Sequence, residues 1–292
     1  MKRAAPGIPF VKYQALGNDY LVVQPEDLPE PISAGWIQRL TDRHYGVGAD
    51  GVLLGPLPVD TADFGLQIFN PDGSEAEKSG NGLRIFARFL WEAGLLEKFK
   101  TRPTDQETAD FRIQTAGGVV TARVEQNGRW ATLAMGQADF SSASIPMSGL
   151  DRAVVNETIC VDGEELLFCA VSLGNPHCVV LHPRLNAEVA RRLGPVIELD
   201  PRFLKRTNVQ FLQVIDRQNL KIEIWERGAG YTLASGSSSC AAAAVARRLE
   251  QCDARVSVHN PGGVLQVTIA EDYHLVLAGP VKKVCRGWMA DE

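Results

Sequence analysis

The sequence predicts a mixed α/β fold of the α+β type, rich in antiparallel sheet and built as two homologous halves. Three observations predict it. Many short stretches alternate aliphatic with polar residues or run in β-branched residues, and Gly, Pro, Asn or Asp punctuates them, as strands require. Helical patterns are few. Most tellingly, the chain resembles itself: "LQIFNPDGSEAEKSG" (66–80) lies without a gap over "IEIWERGAGYTLASG" (222–236). A second pair, "ALGNDYLVV" (15–23) over "SLGNPHCVV" (172–180), agrees in order and almost in offset.

Taken in order, "FVKYQAL" (10–16) and "DYLVVQ" (19–24) read as two strands around a Leu-Gly-Asn turn. A weak helical pattern covers 37–45. "FGLQIFN" (64–70) is a strand, and the Ser-Gly-Asn-Gly knot after it runs into a clear helix over 81–93. "FRIQTA" and "GVVTARVE" are strands on either side of a Gly-Gly turn. The second half repeats this grammar. "CAVSL", "CVVLH", "VQFLQVI" and "LKIEIWE" read as strands, with a short helix over 186–193 between the second and third. Ser-Gly then opens a helix over 238–250, and the strands "LQVTIA" and "YHLVLAG" follow.

Each half therefore contributes one Gly-Asn loop and one Ser-Gly helix start, and facing halves would bring four polar loops into one cleft. A helix start offers outward N–H groups and the positive end of its dipole, which favour an anionic side chain or ligand. Two such starts around one carbon suit two-base proton transfer. For Ser79 and Ser235 the plainer role is helix capping, and a serine hydroxyl is a poor base near neutral pH unless something activates it.

Bulk composition narrows the classes. The 292 residues are 45% hydrophobic and 22% charged, with a net charge of −5 and no basic block, which argues against a nucleic-acid partner. There is no apolar run of membrane-spanning length, and the N-terminus lacks a signal-peptide core, so the expected location is the cytoplasm. The six cysteines form no CxxC pair and no zinc-like spacing with histidine, and read as buried free thiols.

Six segments together resemble the diaminopimelate epimerase family, the pyridoxal-independent amino-acid racemases and epimerases. They are "LGNDYLVV", "DRHYGVGADGVLL", "IFNPDGSEAEKSGNGLRIFARF", "SLGNPHCVV", "TNVQFLQV" and "ERGAGYTLASGSSSCAAAA". The resemblance implies two pseudo-symmetric domains, 1–122 plus 281–292 and 123–280. Each would be a curled, mostly antiparallel sheet around a central helix, with the active site in the cleft between them. It implies an isomerase that needs no cofactor and no metal, acting on LL- or meso-2,6-diaminopimelate in lysine biosynthesis, with a homodimer as the common assembly. No nucleic acid or membrane enters the reaction.

The family places a catalytic cysteine in each half, and this chain has Ser79 and Ser235 at those positions. By resemblance, His177 and Glu226 are candidates to assist or replace them. Asn18, Asn70, Asn175 and Asn208 would bind the polar ends of the substrate, and Glu226 and Arg227 its ammonium and carboxylate groups. Gly80, Asn81, Gly236 and Ser237 would offer helix-start N–H groups. The chain departs from the family pattern at Leu83, at "SSS" (237–239), at Tyr231 where an acidic residue is typical, and at Gly51 where some relatives carry a polar side chain. These departures keep three alternatives open: a diverged enzyme catalysing dehydration or double-bond isomerisation of a small acid, a silent amino-acid-binding relative, or a form whose thiols were exchanged for serine.

Overall fold

A Leu-Gly turn sets the first hairpin. In the computed structural model, which describes residues 7–28, 31–101 and 107–290, Leu16 and Gly17 both have positive φ, 56° and 91°. That backbone matches the right-handed twist of the flanking strands. It joins β1 (Ile8–Ala15) to β2 (Asn18–Val23) as an antiparallel pair. Helix α1 (Ala34–Thr41) then carries the chain over to β3 (Val52–Leu57), which lies parallel to β2. Next come β4 (Phe64–Phe69), antiparallel to β3, and the short β5 (Glu75–Ala76). Helix α2 (Gly80–Glu92) follows. After the two-residue β6 (Lys100–Thr101), β7 (Thr108–Thr115) returns parallel to β4, with β8 (Gly118–Glu125) and β9 (Trp130–Gln137) added antiparallel.

The same sequence of moves recurs. After β10 (Glu157–Val161), β11 (Glu164–Ser172) and β12 (Pro176–Leu181) form an antiparallel pair across Gly174, whose φ is again 91°. Helix α3 (Ala187–Glu198) crosses to β13 (Asn208–Asp216), parallel to β12. β14 (Asn219–Glu226) and β15 (Gly230–Thr232) follow antiparallel, then helix α4 (Gly236–Arg248). β16 (Arg255–Asn260) returns parallel to β14, and β17 (Gly263–Ile269) and β18 (His274–Pro280) extend it. The last strand, β19 (Lys282–Met289), pairs with β1. Packing divides the chain into one unit up to Leu133 together with the residues from Gly279, and a second from Ala134 to Ala278.

Each unit is built around its serine-capped helix. Helix α2 packs against β1, β2, β3 and β8, and Asn81 to Ala87 are all buried, as a helix enclosed by strands requires. Helix α4 packs against β11, β12, β13, β14, β16 and β17. There the run Ala241–Ala244 is fully buried, because small side chains let strands close in on every face.

Several expectations change. Both serine-capped helices start one or two residues earlier than the apolar pattern suggests, because the first turn is polar and held by the cap. Helix α1 spans 34–41 rather than 37–45, since Ser33 caps it by accepting from the Trp36 N–H. Helix α3 continues past Gly194-Pro195 to Glu198. There Gly194 is needed, since a Cβ would stand 2.6 Å from the Trp225 side chain. The strands β3, β9, β10, β16 and β19, and the short β5, β6 and β15, carry no signal among the strand patterns of the sequence. Two of the six cysteines, Cys160 and Cys285, are exposed rather than buried. Cys160 falls on an outward position of β10, between buried Ile159 and Val161.

Candidate functional site

Ser79 stands before α2 in extended backbone, φ −137° and ψ 117°, and its Oγ accepts the Gly82 N–H at 3.0 Å. Ser235 repeats this before α4, φ −139° and ψ 128°, with a longer contact of 3.5 Å from the Ser238 N–H. The capping role is therefore real at both positions. In each case one lone pair of the hydroxyl oxygen faces the first turn of its helix.

In the first unit the cap sits in a polar network. Asn81 donates to Asn18 Oδ1 at 3.0 Å, and Asn18 donates to Asp50 Oδ2 at 2.9 Å. The guanidinium of Arg84, fully buried, donates to Asn81 Oδ1 at 2.7 Å. Asp50 and Asp19 share Arg43, and Asp19 also pairs with Lys12 at 2.8 Å. Burial by itself would raise the Asp19 pKa, but hydrogen bonds from Arg43 and Lys12 outweigh it and hold the carboxyl at about 2. Asn70 stands apart from this network, in the turn after β4, donating to Ser74 Oγ at 3.0 Å.

The network also contains a residue that sequence reasoning missed. The hydroxyl of Tyr20, on β2, lies 3.2 Å from Ser79 Oγ. A signal for it was present in the self-alignment, where Tyr20 falls opposite His177. The ring of Tyr20 also accounts for Gly51: a Cβ there would stand 2.6 Å from Tyr20 Cε1 and 2.4 Å from the Phe69 carbonyl oxygen.

In the second unit His177 is fully buried. Its Nε2 is 3.1 Å from Asn175 Oδ1 and its Nδ1 is 3.3 Å from Gln210 Oε1; Gln210 in turn donates to Ser238 Oγ at 3.0 Å. His177 thus reaches the start of α4 through Gln210 and Ser238, whereas Tyr20 touches the first serine directly. Burial, helped by the positive charge of Arg227 and opposed by the Gln210 hydrogen bond, pushes its pKa down to about 3. A neutral ring has one donor and one acceptor nitrogen, so the two amides cannot both present oxygen to it.

This burial has a measurable consequence. The unfolded chain takes up a proton near pH 6.5 and the folded one does not, so stability is fully present above that pH and falls as pH drops toward 3. His177→Asn should remove about 2 kcal/mol from the difference in unfolding free energy between pH 7 and pH 5, read by urea titration at both. An unchanged difference would show that the ring is not held neutral.

The remaining candidates cluster at the end of β14. Asn208, buried, donates to the Pro176 carbonyl at 2.9 Å and accepts the Arg227 N–H at 3.1 Å, tying the His177 strand to the Glu226-Arg227 loop. The Arg227 guanidinium donates to the Lys205 carbonyl at 3.1 Å. Glu226 closes β14, paired with Gly230 across a turn. Glu198, also missed, pins this turn by accepting from Gly228 N at 3.0 Å and Trp225 Nε1 at 2.8 Å. Tyr231 donates to Glu223 at 2.8 Å. Gly236 and Ser237 form the first turn of α4, as Gly80 and Asn81 do for α2.

The family model described as "Diaminopimelate epimerase" matches residues 10–141 and 169–284. The chain belongs to the diaminopimelate epimerase family. It is 50% identical over 283 residues to "Diaminopimelate epimerase 2" of Nostoc sp., covering 97% of this chain and 96% of that one. To the diaminopimelate epimerase of Moorella thermoacetica it is 38% identical over 288 residues, covering 95% and 98%. The fold is shared more widely. A hydroxyproline epimerase from Agrobacterium vitis, solved with bound trans-4-hydroxy-L-proline, superposes with a TM-score of 0.67 at 16% identity, covering 98% of this chain and 94% of that one. A methylitaconate-delta-isomerase superposes at 0.64 with 14% identity, covering 96% and 94%. Within the diaminopimelate epimerase family, then, this member carries its two serines as helix caps, one of them in contact with a tyrosine hydroxyl. Among the described residues no helix is long and apolar enough to cross a membrane.

Proposed function

We propose that this protein is a pyridoxal-independent isomerase that interconverts the LL and meso forms of 2,6-diaminopimelate, in the cytoplasm, as a step of lysine biosynthesis. One observation carries the reading: half-identity across nearly the whole chain to a protein named for that activity. The helix-start geometry supports it. Ser79 and Ser235 are the acid and base positions: one removes the α-proton and the other returns a proton to the same carbon, which inverts it. The first-turn N–H groups of Gly80, Asn81, Gly236 and Ser237 donate to the substrate carboxylate, where negative charge builds as the α-proton leaves. Asn18, Asn70, Asn175 and Asn208 set the loops that hold the polar ends of the substrate, with Glu226 and Arg227 for its ammonium and carboxylate groups. His177, neutral and buried, orients Asn175 and, through Gln210, the start of α4.

The energetic difficulty is the base. A serine alkoxide is far from its working pH, and each pK unit costs about 1.4 kcal/mol. The dipole ends of α2 and α4 offset part of that cost. Proton NMR in D₂O tests the reading. Incubation with LL-diaminopimelate should erase the α-proton signal and produce the meso form, whereas a panel of other free L-amino acids keeps theirs. A thermal shift with diaminopimelate but no washout would leave a binding protein and overturn the proposal.

A further inference from the structure

The packing of β2 against the start of α2 brings Tyr20 onto the first serine. The Tyr20 hydroxyl lies 3.2 Å from Ser79 Oγ, its ring is nearly buried, and Gly51 lacks the side chain that would displace it. The repeat supplies a contrast. The equivalent ring of the second unit, His177, turns to Asn175 and Gln210 and does not touch Ser235. Among the described residues, only the first of the two serines has a titratable ring directly on its hydroxyl.

A serine hydroxyl carries one proton and two lone pairs. At Ser79 one lone pair is taken by the Gly82 N–H. The contact with Tyr20 then runs along the serine proton or the other lone pair. A phenol ionises near pH 10, far more readily than an alcohol. From these observations we propose that Tyr20 is the positioning residue of Ser79 and the store for its proton. The proposal rests on the reading of Ser79 as an acid/base group.

In the abstracting direction the Cα–H bond breaks as a new Oγ–H bond forms, and the original serine proton passes to the Tyr20 phenolate; the electron pair stays on the substrate carbon. In the delivering direction Oγ–H gives its proton to Cα and Tyr20 O–H restores it, leaving the phenolate. No oxidant, metal or further reactant enters, and the pair is reset when the phenol exchanges its proton with solvent.

The test is a double-mutant cycle on the full chain, following α-proton washout and inversion of diaminopimelate. Tyr20→Phe keeps the ring, so its packing persists. Its kcat should fall about 100-fold, the lower end of what a general acid–base group contributes, with KM changed less than about twofold. A thiol at a helix start ionises near neutrality by itself. Ser79→Cys should therefore make Tyr20 dispensable, and Tyr20→Phe/Ser79→Cys should match Ser79→Cys within about threefold. A Tyr20→Phe rate within about threefold of wild type would overturn the relay, as would an equal loss in both backgrounds, which is what a structural role gives. An inactive Ser79→Cys would overturn it too, because a thiol supplies the acidity that serine is said to borrow. Absence of washout in the wild type is the distinct outcome that would defeat the epimerase reading itself, and the relay with it.

Discussion

Ser79→Ala and Ser235→Ala should each slow inversion of diaminopimelate by at least about 100-fold, and together should bring it below detection. Both serines are also caps, so the loss must be separated from helix fraying. Removing a serine cap costs about 1 kcal/mol. The cost should be larger at Ser79, whose contact with Gly82 is 3.0 Å, than at Ser235, where the contact with Ser238 is 3.5 Å. Asparagine caps as well as serine does but has no hydroxyl proton to exchange. Ser79→Asn should therefore keep the unfolding midpoint within a few degrees and still lose turnover. Washout that survives in Ser79→Asn would assign this position to capping alone and move the base elsewhere.

Arg84→Ala should be the most damaging single change to stability that lies next to the site. Its side chain is fully buried at the middle of α2 and its guanidinium donates to Asn81 Oδ1 at 2.7 Å. Truncation leaves both a cavity and a buried amide that has lost a charged donor. The expected cost is about 3–5 kcal/mol, measured by urea unfolding. The effect should extend to binding, because Asn81 holds Asn18 and Asn18 holds Asp50. KM for diaminopimelate should rise with kcat less affected. Arg84→Met, which keeps much of the volume, should lose less stability while raising KM as much. A stability loss under about 1 kcal/mol in the alanine variant would show that the arginine is not integral to the core.

Much of the architecture was legible locally. A Leu-Gly-Asn turn between alternating strands, a serine before a polar first turn, and the repetition of both in the second half are written within a few residues of one another. Turn backbone, cap and face alternation are set by short-range sterics and hydrogen bonds. The same reasoning failed at β3, where Val52, Leu53 and Leu54 are all buried and no alternation betrays a strand. It failed also at α3, where Gly194-Pro195 looks like a stop signal. Pro195 is nonetheless held within the helix, at the turn where Gly194 packs against Trp225.

The sequence by itself determined the family, the internal repeat, and the two serines as paired helix starts. Only the tertiary structure decided what touches them. Tyr20 meets Ser79 across 59 residues, His177 meets Gln210 across 33, and Gln210 meets Ser238 across 28. Such contacts follow from strand register and from how closely a helix seats on its sheet. Those are properties of the packed core, where burying apolar area outweighs any local preference. The serine motif therefore predicts two capped helix starts, and both serines do accept from the first turn of their own helix, while the fold adds a phenol to the first.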